Sequence, residues 1–433
     1  MGDARIVNHG VDTLIVNGYH TDDGGNCMKR DIDDGLRVKL DGWKKEAQGV
    51  HEAVPTSYVF RDAVLHMSPN GVGQGQWPWM LKTPDITVYV SGGHWNGVTS
   101  VRLSSQYLWS SPSLVQAVIE VQAFLDAVFS DEMFLQVSQV DLCADVVGWS
   151  DFDDLDQGKD FVSRSRKRGV YGEADWNYNF DTRNYTLGQK RTGLQFARSK
   201  SGLSPLEARI YDKTRELLSS GKEWFYDLWR ARGWCEEDGP VHRVEFSFRR
   251  EALHELLQEE DGQEIFHGIE DVYEAVDLLP LLWAYAVGHQ DGASDGLPDG
   301  WLRCVVPTGD KTRSRWPTHP VWKVIQGAFT EKMEIPPHFG KIVRKRWEDH
   351  NLDKAIEAMV GYLSSVAAWA GGDLAQEGTD LSVVLHWLAI EGQDYLDRVD
   401  RDFSAEIQRK RVKIGKSLGR ERVGRNNSLP IED

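Results

Sequence analysis

The hydrophobic rhythm of the chain changes once, near residue 262, and that change divides the expected fold. Before it, apolar and polar residues mostly alternate, the period-two mark of half-buried strands. Thr13–Tyr19, Ala63–Met67, Ile86–Val90 and Thr99–Leu103 read as strands, the last two joined through Ser91-Gly92-Gly93. Ser113–Phe129 departs from this rhythm. Leu114, Val118, Val121, Leu125 and Val128 recur at helical spacing, with Ser113 placed to cap the helix. Val137–Val147 returns to alternation, with Val140, Leu142, Ala144 and Val146 on one face. Strand Leu206–Lys213, an amphipathic helix over Thr214–Arg232, strand Val241–Phe248 and helix Glu251–Gln258 complete the region. The order strand, strand, helix occurs in "ITVYVSGG…VTSVRLSSQYL" and again in "ARIYDK…VHRVEFSFRREAL", a pattern-level sign of two similar units.

After residue 262, Val272–Val287, Trp322–Phe329, Leu352–Trp369 and Leu381–Val399 show helical spacing, and the Gly/Asp/Pro-rich stretch Gly288–Gly300 reads as a loop. The expected fold is therefore α+β. An antiparallel-sheet domain spans residues 1–261, and a mostly α-helical domain with a basic tail spans 262–433.

Composition narrows the function classes. The 433 residues suffice for two or three domains. The four cysteines, Cys27, Cys143, Cys235 and Cys304, show no CxxC spacing, so free thiols are expected rather than a zinc site or a disulfide framework. The first residues lack the apolar run of a signal peptide, and the longest apolar stretch, Leu278–Val287, is too short to span a bilayer. A cytoplasmic protein without a membrane partner is expected. The glycines of Asn70–Gly75 precede no Walker lysine, so a hairpin is the better reading there than a phosphate loop.

The net charge of −17 argues against a surface coated in nucleic acid, but its distribution matters more. Thr182–Leu203 holds Arg183, Lys190, Arg191, Arg198 and Lys200 and no acid. Lys341–Arg346 and Ser404–Arg425 are also basic. An acidic body with local basic surfaces can bind DNA where the cations cluster. Of the 17 tryptophans, Trp316 and Trp347 follow arginines and are candidates for stacking on unpaired bases.

Three strands carry the candidate chemistry. Opposite its apolar face, Val137–Val147 bears Asp141 and Asp145; Leu206–Lys213 bears Arg209, Tyr211 and Lys213; Val241–Phe248 bears Arg243, Glu245 and Ser247. If the strands share a sheet, one patch holds carboxylates, cations and a tyrosine. Carboxylates can hold Mg²⁺ or Mn²⁺, and cations beside a phenol favour the phenolate and stabilise charge on phosphate oxygens. Asp141 and Asp145 lie about 13 Å apart along an ideal strand, so Glu245 with Asp141 is the simpler ligand set. Surface ion pairing on an open sheet face is the plain alternative. His242 falls on the apolar side and reads as a packed histidine.

Taken together, "QVDLCADV", "ARIYDKTRE" and "VHRVEFSFRREAL" resemble the trans-acting replication initiators of rolling-circle plasmids and the related relaxases of integrative and conjugative elements, over roughly residues 10–260. The resemblance implies a metal-dependent DNA nicking and strand-transfer enzyme. It implies Tyr211 as the nucleophile that joins the 5′ phosphate and frees a 3′ hydroxyl to prime a polymerase. It further implies Asp141 and Glu245 as ligands of Mg²⁺ or Mn²⁺, phosphate contacts from Arg209, Lys213 and Arg243, and a homodimer. A transfer origin as substrate, a non-catalytic DNA-binding regulator, and a protein-interaction module whose helical domain recruits a host helicase or polymerase are the competing readings. The family's Tyr-x-Gly-Ser element is replaced here by Leu194-Gln195-Phe196-Ala197-Arg198-Ser199, and Tyr185 is a second candidate nucleophile.

Overall fold

The computed structural model describes residues 4–22, 27–28, 30–73, 75–92, 97–165, 167–172, 191–197, 204–260, 263–289, 300–329, 342–344, 352–376, 378–399, 401–405 and 407–408. The chain opens with β1 (Arg5–Thr21), β2 (Cys27–Met28) and α1 (Asp34–Val50). A meander follows: β3 (Val54–Phe60), β4 (Ala63–Met67), β5 (Trp79–Lys82), β6 (Ile86–Val90) and β7 (Thr99–Leu103). Helices α2 (Ser105–Ser110) and α3 (Leu114–Phe129) lead into β8 (Met133–Val147). Next come β9 (Phe161–Ser163), β10 (Lys167–Gly172), β11 (Arg191–Ala197) and β12 (Leu206–Asp212), then α4 (Lys213–Ser220) and α5 (Trp224–Ala231). After β13 (His242–Arg249) come α6 (Arg250–His254), β14 (Leu256–Glu260), β15 (Gln263–His267), α7 (Val272–Asp277) and α8 (Leu279–Val287). The last elements are β16 (Leu302–Cys304), α9 (Pro320–Gln326), β17 (Ile342–Arg344), α10 (Leu352–Ala370) and α11 (Leu381–Arg398).

The fold is α+β, as the alternation implied. One antiparallel sheet runs in the order β10-β11-β12-β13-β8-β1-β7-β6-β5-β4-β3, with β2 on the end of β1. The pairs β12–β13 and β6–β7, which the repeated pattern had singled out, flank the central β8–β1 pair on its two sides. The apolar face follows from the alternation: Val140, Leu142, Ala144, Val146, Val244, Phe246 and Phe248 are all buried in the main core.

Several expected elements changed. Helix α1 was not anticipated. Asp33 caps it by accepting from the Leu36 amide at 2.9 Å, and Leu36, Leu40 and Ala47 bury one stripe. The single helix expected over Thr214–Arg232 is two, α4 and α5, because Gly221 ends α4 in the left-handed conformation (φ 67°). Similarly, α7 and α8 replace one helix over Val272–Val287, with a proline in the first turn of α8. Helix α6 ends at His254 and the chain continues as strand β14. Ser113 does cap α3, accepting from the Gln116 amide.

Two compact units divide the chain at Arg344 and Lys345, so the boundary expected at 262 falls inside the first. Residues beyond 262 belong to the sheet's core: Trp283 packs edge-on to Phe246 at 5.7 Å between centroids, and Trp301 also meets Phe246. In the second unit, α10 and α11 bury Leu363, Ala367 and Val384. Among the described residues no helix is long and apolar enough to cross a membrane. All four cysteines are free thiols, as their spacing implied.

Candidate active site

Register places the candidate residues. In β12–β13, Arg209 lies opposite Glu245 and Tyr211 opposite Arg243. In β13–β8, Arg243 lies opposite Asp145 and Ser247 opposite Asp141. Directly opposed residues of antiparallel strands project to the same face. Tyr211, Arg209, Glu245, Arg243, Asp141 and Asp145 therefore share one sheet face.

At the centre, Tyr211 Oη donates to Glu245 Oε2 at 3.0 Å. Arg209 Nη1 donates to the other oxygen, Glu245 Oε1, at 3.1 Å, while its Nε reaches Glu207 Oε1 at 3.1 Å. Burial raises the Glu245 carboxyl above the usual carboxylate range despite Arg209, with Asp12 and Asp141 adding to the rise. Tyr211 is 4% exposed. Burial, and next the Glu245 charge, push its phenol well above the ordinary value. This corrects the expectation that flanking cations favour the phenolate, because Tyr211 points to a carboxylate and is dry.

Lys213 lies one residue past the strand, yet its Nζ still stands 5.9 Å from the Tyr211 ring centroid. It opens α4, where its Nζ pairs with Glu216 at 2.5 Å and sits 4.7 Å from the Phe225 ring centroid. Burial, and next Arg243, lower its ammonium below the ordinary value.

Arg243 and Asp145 form the second centre. Arg243 Nε and Nη2 donate to the two oxygens of Asp145 at 2.6 and 2.9 Å, and Nη1 donates to Asp12 Oδ1 at 2.7 Å. Asp145 also accepts from Trp229 Nε1 at 2.9 Å and Asn8 Nδ2 at 3.4 Å. Phe225 of α5 lies over the Arg243 guanidinium at 4.7 Å, so α5 covers this end of the face. Both charged side chains are fully buried. All three Arg243 nitrogens are engaged within the protein, which corrects the expected phosphate contact. Asp145, with its oxygens filled by donors, is likewise a structural acceptor rather than a metal ligand.

Asp12 belongs to this site and went unnoticed in the sequence. The register of β1 against β8 shifts between Val11 and Thr13, and this bulge turns Asp12 onto the polar face. Burial alone would raise its carboxyl; Arg243, Lys213 and Lys222 outweigh it and hold it at about 2. The only sequence signal was an aspartate one residue before the strand expected from Thr13. Nearby, Gly10 is a glycine for space: a Cβ there would stand 2.6 Å from Trp109.

The donor set does not fit a divalent ion as it stands. Glu245 accepts on both oxygens, and Gln139 Nε2 donates to both oxygens of Asp141 at 2.9 and 3.1 Å. Among the described residues no three His, Cys, Asp or Glu side chains are arranged to hold a metal.

The other expected contacts divide. Arg183, Lys190, Arg198, Lys200, Tyr185 and Trp347 lie outside the described residues, and Arg191 opens β11. Phe196, in the aromatic place of the family element, is a core residue packed on Phe161. Trp316 donates through Nε1 to the Asp310 carbonyl and carries Arg313 over its ring. His242 is packed between Trp149 and Phe152, as its position on the apolar side implied. The chain matches no protein-family model and no curated protein.

Proposed function

We propose that the chain nicks one strand of DNA by transesterification at Tyr211, as a rolling-circle replication initiator does. The observation that carries this reading is the Tyr211 Oη to Glu245 Oε2 hydrogen bond, with Arg209 on the opposite carboxylate oxygen. A buried, raised carboxylate in contact with a phenol is a general base matched to a weak acid. As Oη bonds to phosphorus, Glu245 takes the phenol proton. The bond from phosphorus to the 3′ oxygen breaks, and that oxygen leaves and regains a proton as a free 3′ hydroxyl. The 5′ phosphate remains on Tyr211. Arg209 stands beside the base, where it neutralises charge growing on the non-bridging oxygens. Arg243, Asp145 and Asp12 tie β13, β8 and β1 together on the same face, beside the reacting pair. The liberated 3′ end then primes a polymerase.

A second reading, a DNA-binding protein on the same sheet without nicking activity, is favoured by the burial of Tyr211. The two readings part in one assay. Supercoiled DNA carrying the candidate origin is incubated with the protein, with and without Mg²⁺ or Mn²⁺. Conversion to open circle by the wild type and not by Tyr211→Phe supports the proposal, and binding without conversion supports the second reading.

A further inference from the structure

The sheet face that carries Tyr211 continues across the N-terminal half of the sheet, and register traces it. Gln139 shares that face with Asp141 on β8 and lies opposite Ile15 of β1. From there one cross-strand row runs Ile15, Arg102, Thr87, Lys82 and His66, over β1, β7, β6, β5 and β4. The row beside it runs Asn17, Ser100, Tyr89 and Met80. Neither row holds an aspartate or glutamate, in a chain whose net charge is −17. Alternate residues of the same strands, Leu81, Val88 and Val101, point the other way, into the core shared with Leu36 and Leu40 of α1.

Arg102, Lys82 and His66 are exposed. Among the described residues no carboxylate pairs with Arg102 or Lys82, whereas Asp85, in the β5–β6 turn, is paired with Arg61. Tyr89 is half-buried beside them, with the Trp77 ring tilted against it at 6.3 Å between centroids. Two cations on an acid-free face attract a polyanion. An aromatic ring beside them offers a stacking surface that an unpaired base can use and that the stacked bases of a duplex cannot. A peptide strand would add to a sheet edge instead of lying on its face. At about 4.8 Å per strand, β4 to β12 spans about 34 Å, the length of about ten stacked nucleotides.

We infer that this face binds single-stranded DNA, its phosphates on Lys82 and Arg102 and a base on Tyr89, and lays the strand along the row that leads to Tyr211. That the bound strand is the one cut rests on the nicking reading above; the binding itself does not.

Fluorescence anisotropy of the full chain with a labelled oligothymidylate of about ten nucleotides tests the face. The probe carries no origin, so a failure of nicking leaves this result standing. Saturable binding is expected, with log affinity falling against log salt at a slope of about −1.4 for two phosphates. Lys82→Ala and Arg102→Ala, at exposed positions, are each expected to lower the slope to about −0.7. Tyr89→Ala is expected to weaken binding about 10-fold or more, and Tyr89→Phe to restore it. Lys39→Ala, exposed on α1 behind the other face, is expected to change nothing. The inference is overturned if the probe does not bind, if all three alanine variants of the face bind as the wild type does, or if a duplex, oligouridylate or polyglutamate displaces the probe as well as unlabelled oligothymidylate does.

Discussion

Tyr211 and Glu245 sit on neighbouring strands with the phenol donating to the carboxylate at 3.0 Å. This makes Glu245 the proton acceptor of the proposed reaction. Glu245→Gln keeps size and hydrogen bonding but takes no proton at neutral pH. Loss of a general base costs about 10²–10⁴ in rate, so nicking is expected to fall by that factor while the melting temperature stays close to the wild type. Full activity in the glutamine variant would remove Glu245 from the chemistry.

Arg243 and Asp145 form a bidentate pair with no exposed side-chain surface. Removing one partner strands a buried charge and costs about 3–5 kcal/mol. Asp145→Ala is therefore expected to lower the denaturation midpoint strongly. A double variant, Arg243→Leu with Asp145→Leu, is expected to recover part of the loss. Denaturant titration of the wild type, Arg243→Leu, Asp145→Leu and the double variant measures this, and a double variant that loses the sum of both single effects would contradict it.

Acid sensitivity is expected from His242. Burial holds its imidazole at about 4, although Asp212 and Asp153 pull it upward. In the unfolded chain histidine titrates near 6.5. Between those values the unfolded state binds a proton that the folded state refuses, so stability falls as pH drops from about 6.5 to about 4 and is fully present above that window. The effect is on the order of 3 kcal/mol. Urea midpoints at several pH values should show this slope in the wild type and a shallower one in His242→Gln; equal slopes would assign it to other groups.

The carboxylates of the face already accept hydrogen bonds, and no three-ligand group exists among the described residues. Mn²⁺ titrated into the DNA-free protein is therefore expected to bind only weakly, around millimolar, as followed by electron paramagnetic resonance. A stoichiometric micromolar site would show a ligand set that the described geometry lacks.

Much of the sheet was legible because alternation ties each strand's faces to its residues, as in Val140, Leu142, Ala144 and Val146 against Asp141 and Asp145. The shared face of Tyr211, Glu245 and Asp141 followed from the same rule. Partner choice within that face was not legible. Nothing local says that Arg243 turns to Asp145, 98 residues away, rather than to a ligand. Asp12 was missed because a bulge is a property of two paired strands, not of one. Lys213 was misplaced by one residue at a strand end, where the Asp212 cap starts a helix instead.

The central claim is that Tyr211 becomes covalently joined to DNA. The direct measurement is mass spectrometry of tryptic peptides after reaction with supercoiled DNA bearing the candidate origin and nuclease trimming. The account expects a nucleotide-mass adduct on the peptide Ile210-Tyr211-Asp212-Lys213, lost in Tyr211→Phe. An adduct on Tyr185 or another tyrosine, or nicking with no adduct at all, would contradict it.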